Sequence, residues 1–171
     1  MRIYRYIRFV VAIGMLSTLI SPASLALTGE PTHEPDVLRN LKGVNVVVEN
    51  LDPEIERDGL AAGTIRTDSL LRLRQSGIEI VPLKERLRIE GTPYLYVNIR
   101  VMRLKPKGYV YGVMVELHEQ FVIPRLGSAS WVITYRTRGA GGFAYRLPTI
   151  RDAARDQLEE FINAYLSVNP K

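Results

Sequence analysis

The stretch "YLYVNIRVMRLKPKGYVYGVMVELHEQF", residues 94–121, decides the fold, because side chains of two kinds alternate on both sides of a short turn. This period of two predicts a pair of antiparallel strands joined at "KPKG". One face carries Leu95, Val97, Ile99, Val101, Tyr111, Val113, Val115, Leu117 and Phe121. The other face carries Tyr96, Asn98, Arg100, Met102, Gly112, Met114, Glu116, His118 and Gln120. We expect the first face in the core and the second left uncovered.

The residues before this hairpin predict a parallel unit. "GVNVVVENL", residues 43–51, is β-branched and mostly apolar, as in a buried strand. Residues 64–77 follow with helical spacing of Ile65, Leu70 and Leu73, and "IEIVP", residues 78–82, predicts a second strand. A strand, a helix and a strand over this length indicate a βαβ unit whose two strands run parallel.

The residues after the hairpin supply a further strand and a closing helix. "ASWVITYRTR", residues 129–138, predicts a strand with Trp131, Ile133 and Tyr135 on one face. At the end of the chain, six apolar side chains recur at helical spacing: Ile150, Ala154, Leu158, Phe161, Tyr165 and Val168. The sequence therefore predicts an α+β domain. Its mixed sheet has about five strands, a βαβ unit followed by an antiparallel meander, with two helices packed on one face.

The glycine-rich segment "RTRGAGG", residues 136–142, has two interpretations. It resembles a phosphate-binding loop, but such a loop needs a lysine after the glycines and runs directly into a helix. Here "FAYRLP" intervenes and no lysine follows. We therefore expect a turn in which "GFAYRL", residues 142–147, pairs back on residues 133–138, with the glycines at the hairpin tip.

The first 26 residues have the order of a secretory signal peptide: three arginines, a short apolar run, then the small residues "SPASLA". We expect cleavage after Ala26, a flexible leader at 27–40 and one domain at 41–171. The chain has no cysteine, so a lipid anchor on that residue is excluded. No later apolar run is long enough to cross a bilayer. The mature protein is predicted to be periplasmic or secreted.

The residue types present favour a binding protein over an enzyme. Removing the three leader arginines leaves 20 basic against 18 acidic residues, a net charge of +2, which argues against nucleic-acid binding. The two histidines lie far apart in the sequence, so we predict no metal site and no cofactor. The alternative is a small hydrolase-type enzyme in which Glu116 and His118 perform acid–base chemistry from one strand face.

The uncovered sheet face is the predicted binding surface. It mixes tyrosine, arginine and methionine, a composition typical of protein–protein interfaces. The candidate binding residues are Tyr96, Arg100, Met114 and His118, together with Gly139 and Gly141 of the glycine segment. The expected partner is a protein or complex of the cell envelope. The alternative is an ordinary solvated sheet face, which antiparallel sheets also allow.

Three segments carry a resemblance to a known group of proteins: "LKGVNVVVENLDPEIERDGL", "TPYLYVNI" and "IRDAARDQLEEFINAYLSVNP". With them the chain resembles a family of exported bacterial proteins of unknown function, over nearly the whole mature length. In the order of its elements it is also similar to the lipopolysaccharide-assembly lipoprotein LptE and to the N-terminal domain of TolB. Both are non-enzymatic envelope proteins that work through partners, so the resemblance implies an adaptor. The chain lacks the lipidated cysteine of LptE.

Overall fold

The computed structural model describes residues 32–170, so the predicted signal peptide and residues 27–31 lie outside the described part of the chain. The strands are β1 (Asn45–Val48), β2 (Tyr94–Arg103), β3 (Tyr109–Ile123), β4 (Ser128–Arg136) and β5 (Ala140–Ala144). The helices are α1 (Pro53–Arg57), α2 (Ala62–Gln75), α3 (Leu83–Arg86) and α4 (Leu147–Val168), with short 3-10 turns at Pro35–Leu38 and Pro124–Leu126. The predicted α+β class with a mixed five-stranded sheet is confirmed.

The sheet is built around the long strand β3. Its order is β1-β2-β3-β4, with β1 parallel to β2 and the other pairs antiparallel. β5 also pairs with β3, beside the residues that β4 leaves free. One half of β3 thus pairs with β4, the other half with β5, and the whole strand is held in register.

The second strand of the predicted βαβ unit is much shorter than expected. Residues 78–82 contribute a single parallel bridge, between Ile80 and Val44. The Val44 N–H donates to the Glu79 carbonyl and the Val81 N–H donates to the Val44 carbonyl. Pro82 then caps α3 and lacks the N–H needed to continue the ladder. The full-length parallel partner of β1 is β2 instead.

A β-bulge corrects the predicted facing of β4. Leu117 pairs with Tyr135, whereas His118 pairs with Ile133, so Thr134 is an extra residue on β4. The extra residue turns Tyr135 into the core, where it is 2% exposed. The prediction that Trp131, Ile133 and Tyr135 share a face was wrong, because a strict period of two does not continue across a bulge.

The predicted hairpin between β4 and "GFAYRL" was also wrong. β5 pairs with β3, from Tyr109 opposite Ala144 to Val113 opposite Ala140. Gly141 and Gly142 are therefore part of a strand, while Gly139 lies in the short link between β4 and β5. Gly139 has φ +83°, a left-handed conformation that lets the chain leave β4 and re-enter the sheet on the same side of β3.

Helices α2 and α4 pack on the aliphatic face of the sheet, as predicted. Six core side chains from β2 and β3 are at most 3% exposed: Leu95, Val97, Ile99, Val113, Val115 and Leu117. Phe161 of α4 is fully buried and meets the Tyr135 ring edge-on at a centroid distance of 6.0 Å. Leu73 of α2 is buried while Leu71 is 53% exposed, which matches the helical period.

The described part of the predicted leader packs against the domain. Leu38 is fully buried, and its carbonyl accepts a hydrogen bond from the Asn169 side chain. Thr32 forms a parallel bridge to Tyr135 at the edge of β4. The packed fold thus includes residues before 41. Within residues 32–170, no helix combines the length and apolarity needed to cross a membrane.

Candidate functional site

The face of β2 and β3 turned away from α2 and α4, here called the open face, brings the predicted binding residues onto one surface. Side chains on this face form rows across paired strands, because residues opposite each other in register project to the same side. One row contains Asn98 and Met114, with Gly139 beside them. The next row contains Arg100, Gly112 and Gly141. Four of the six predicted residues therefore adjoin one another.

These rows enclose a shallow hollow of about 420 Å³. Its lining includes Asn98, Arg100, Met114 and Arg138. The floor lacks side chains where Gly112 faces Gly141, and a Cβ added at Gly112 would meet nothing within 4 Å. The paired glycines thus create the depression, and the arginines and the methionine form its rim.

Arg100 and Arg138 belong to the ten of fifteen arginines in residues 32–170 that form no ion pair with a carboxylate, and they are the two that line the hollow. Five arginines in residues 32–170 form ion pairs with aspartate or glutamate: Arg39, Arg72, Arg103, Arg151 and Arg155. Within the same residues, neither arginine at the hollow forms one. Both are exposed, so their guanidinium groups are available to an acidic ligand.

Beside the hollow, four aromatic rings from three strands form a cluster. Tyr94 stacks on His118 at a centroid distance of 4.7 Å and meets Trp131 edge-on at 5.1 Å. Tyr96 meets the His118 ring edge-on at 5.5 Å. The Arg86 guanidinium lies 5.0 Å from the Tyr94 ring centre and 5.2 Å from that of Trp131, within cation–π range. This end of the open face is therefore tightly packed.

The Glu116–His118 pair exists, and it is closed off by its neighbours. His118 Nε2 lies 3.2 Å from Glu116 Oε2, and His118 Nδ1 lies 3.0 Å from the Tyr94 hydroxyl. Burial raises the pKa of Tyr94, which keeps its hydroxyl protonated and able to donate to Nδ1. Nε2–H then donates to Glu116. Both ring nitrogens contact protein groups, so neither is left for a substrate.

Tyr96 forms a second polar contact on the same face. Its hydroxyl donates to the Glu49 carboxylate, which follows β1. Burial, followed by this hydrogen bond, raises the pKa of Tyr96 to about 12. The phenol is therefore neutral at any physiological pH and acts only as a donor. Tyr96 anchors β1 to the edge of the cluster and is less accessible than the predicted role in binding suggested.

An exposed apolar row borders the hollow on the side opposite the aromatic cluster. Met102, Val110 and Phe143 pair across β2, β3 and β5 and are 60%, 40% and 47% exposed. Phe143 also meets the Tyr145 ring edge-on at 4.7 Å. The open face thus runs from an apolar row, through a hollow with two free arginines, to a closed aromatic cluster.

A hollow of about 530 Å³ between α2 and α4 lacks the free charges of the open face. Arg151 donates from two nitrogens to the Asp68 carboxylate, and Arg72 pairs with Glu159. These pairs link the two helices and neutralise the arginines within the fold. The open-face hollow is therefore the better candidate for recognition of a partner.

Sequence reasoning missed Arg86, Glu49 and Trp131 as members of the aromatic cluster. Trp131 reaches the open face only because the β-bulge separates it from Tyr135. Arg86 belongs to a four-residue helix that no apolar period marks. Only Glu49 had a usable signal, since a charged residue directly follows an apolar strand.

The chain was compared with protein-family models, with curated proteins and with solved structures, and none of these comparisons found a match.

Proposed function

We propose that this chain is a non-enzymatic binding or adaptor protein of the bacterial cell envelope, and that the open face holds its partner. The observation that carries the proposal is the hollow rimmed by Arg100 and Arg138, two exposed arginines without ion-pair partners in residues 32–170. Arginine and aromatic side chains contribute most of the binding energy where an interface excludes water.

The chemistry of the face specifies the kind of partner. The guanidinium groups fit a carboxylate, which they can bind through two parallel hydrogen bonds. The adjoining row of Met102, Val110 and Phe143 fits apolar side chains. We therefore infer a protein partner that presents an acidic side chain next to an apolar segment. The signal-peptide pattern of residues 1–26 supports placing this partner in the periplasm or outside the cell.

A photo-crosslinking residue at Asn98, inside the hollow, tests the proposal in intact cells. We expect one crosslinked species of defined mass, and we expect Arg100→Glu to remove it because the acidic partner is then repelled. Arg74→Glu is the matched control, since Arg74 is an exposed arginine on α2, on the opposite side of the sheet. Equal crosslinking in both variants would contradict the proposal.

The hydrolase-type alternative rests on one contact, Glu116 with His118 at 3.2 Å. A substrate would have to displace Tyr94 or Glu116 to reach a ring nitrogen, at the cost of burying an unpaired polar group. If the alternative holds, Tyr94→Phe frees Nδ1 and raises the hydrolysis rate of model esters, while His118→Gln abolishes it. If the adaptor proposal holds, neither variant differs from the parent protein, and none of the three shows turnover.

A further inference from the structure

The hairpin formed by β3 and β4 extends past the rest of the sheet. β2 begins at Tyr94, opposite His118, while β3 and β4 remain paired as far as Ile123 and Ser128. Residues 120–132 are exposed, apart from a half-buried Ile123. This projecting hairpin, residues 120–132, lies at the end of the sheet away from the Arg100 hollow.

The projecting hairpin is apolar on both faces. Five large hydrophobic side chains are 37–60% exposed there: Phe121, Val122, Leu126, Trp131 and Val132. Its one charged residue is Arg125. A two-stranded ribbon is at best marginally stable alone in water, and clustered exposed apolar side chains mark interaction surfaces. The clustering of these side chains on one projecting segment therefore marks it as a surface for association.

The outer edge of β4 offers a backbone template for that association. β4 is the last strand in the order β1-β2-β3-β4, and within residues 32–170 the backbone pairing on its outer edge is confined to Tyr135 and Arg136, which Thr32 and His33 contact. Residues 128–134, "SASWVIT", contain neither a charged residue nor proline. Edge strands are normally protected from pairing by such residues. This edge has no such protection over seven residues.

We propose that a second copy of this chain pairs antiparallel along residues 128–134 of β4, with the twofold axis at Trp131. This register uses all seven residues of the outer edge that have no backbone partner on that side within residues 32–170, and it forms a continuous sheet through both copies. It places Ser130 opposite Val132 and Ala129 opposite Ile133 of the other copy, small against large. The two Trp131 rings meet at the axis, an arrangement in which cross-strand aromatic pairs are favourable. The same strand therefore complements itself.

Two double variants test both the dimer and its register. In the proposed register residue 130 of one copy faces residue 132 of the other, so Ser130→Lys with Val132→Lys sets like charges opposite each other twice. Ser130→Glu with Val132→Lys sets opposite charges there instead. Both variants carry lysine at 132, opposite Glu119 of the same copy, and a charged residue at 130, opposite Phe121, so they differ only in the residue at 130.

Sedimentation equilibrium of the chain without residues 1–26 is the measurement. We expect the parent chain and the Glu/Lys variant to dimerise, and the Lys/Lys variant to dimerise about tenfold more weakly. Arg100→Glu should leave dimerisation unchanged, which separates this proposal from the function proposed for the hollow. A parent chain that is monomeric up to roughly 1 mM would overturn the dimer. Equal dissociation constants for the two charge variants would overturn the register.

Discussion

The two faces of the strand pair β2–β3 are made from alternate residues of the same stretch, yet they have opposite characters. On the covered face, Leu95, Val97 and Val115 are at most 1% exposed. On the open face, Arg100 and Met102 are exposed and two glycines leave a hollow. The covered face holds the fold together, and the open face is available for recognition. Substitutions on the covered face should therefore lower stability, and substitutions on the open face should weaken partner binding.

The largest expected effect is on the covered face. Phe161→Ala removes a fully buried ring that packs against Tyr135, so the free energy of unfolding should fall by about 3–5 kcal/mol. Urea denaturation followed by circular dichroism measures this loss. Phe143→Ala, which removes the same ring from the open face, is the matched control. Similar losses in both variants would mean that the two faces do not differ in their contribution to stability.

The tyrosine contact at the edge of the aromatic cluster should have an intermediate effect. Tyr96→Phe removes the hydrogen bond to Glu49, and we expect the free energy of unfolding at neutral pH to fall by about 1 kcal/mol. This value lies between those for the covered and exposed positions, because the hydroxyl is only partly buried. Thermal unfolding of both proteins at pH 7 measures it.

The same residue predicts a pH dependence. The pKa of Tyr96 is raised in the fold to about 12 from an ordinary value near 10, so its contribution is complete below about pH 10. It is lost as the pH rises from about 10 through 12, where ionisation is easier in the unfolded chain. Tyr96→Phe should therefore lose less stability than the parent between pH 9 and about pH 11. Parallel pH profiles would contradict the raised pKa.

The smallest effects on stability are expected from the exposed apolar row. Met102→Ala should change the free energy of unfolding by about 0.5 kcal/mol or less, because the side chain is 60% exposed. The same substitution should reduce the yield of crosslinking from Asn98, because the row adjoins the hollow and contacts the partner. If Met102→Ala changes stability but not crosslinking, the row belongs to the fold and does not bind the partner.

Most of the fold could be predicted from the sequence because the spacing of apolar side chains indicates which face of a strand or helix is buried. The alternation in residues 94–117 correctly separated the covered face from the open one, and the spacing of Ile150, Leu158 and Phe161 identified the buried face of α4. A period remains informative only while the packing is regular. Phe121 continues the period of Leu117 but is 59% exposed, because the hairpin there extends beyond the helices.

The errors have two physical causes: sequence spacing identifies neither the strand with which a segment pairs nor the residue at which a bulge interrupts the period. The glycine segment was expected to return on β4, but it adds to the free half of β3. Trp131 joined the open face through one extra residue at Thr134. Arg100, Met114, Gly139 and Gly141 were nevertheless chosen from composition and do adjoin one hollow. The position of the hollow depended on strand register, which the sequence alone did not reveal.

Gly112→Val is the substitution that most directly distinguishes the contribution of the open face to binding from the contribution of the covered face to stability. Gly112 has an ordinary strand conformation with open space where a Cβ would lie, so valine fits without strain and fills the hollow. Valine is also favoured over glycine in strands, by up to about 1 kcal/mol. We therefore predict that stability is unchanged or raised while crosslinking from Asn98 is lost. A Gly112→Val protein that folds and still crosslinks at the parent level would contradict the claim that the open-face hollow is the binding site.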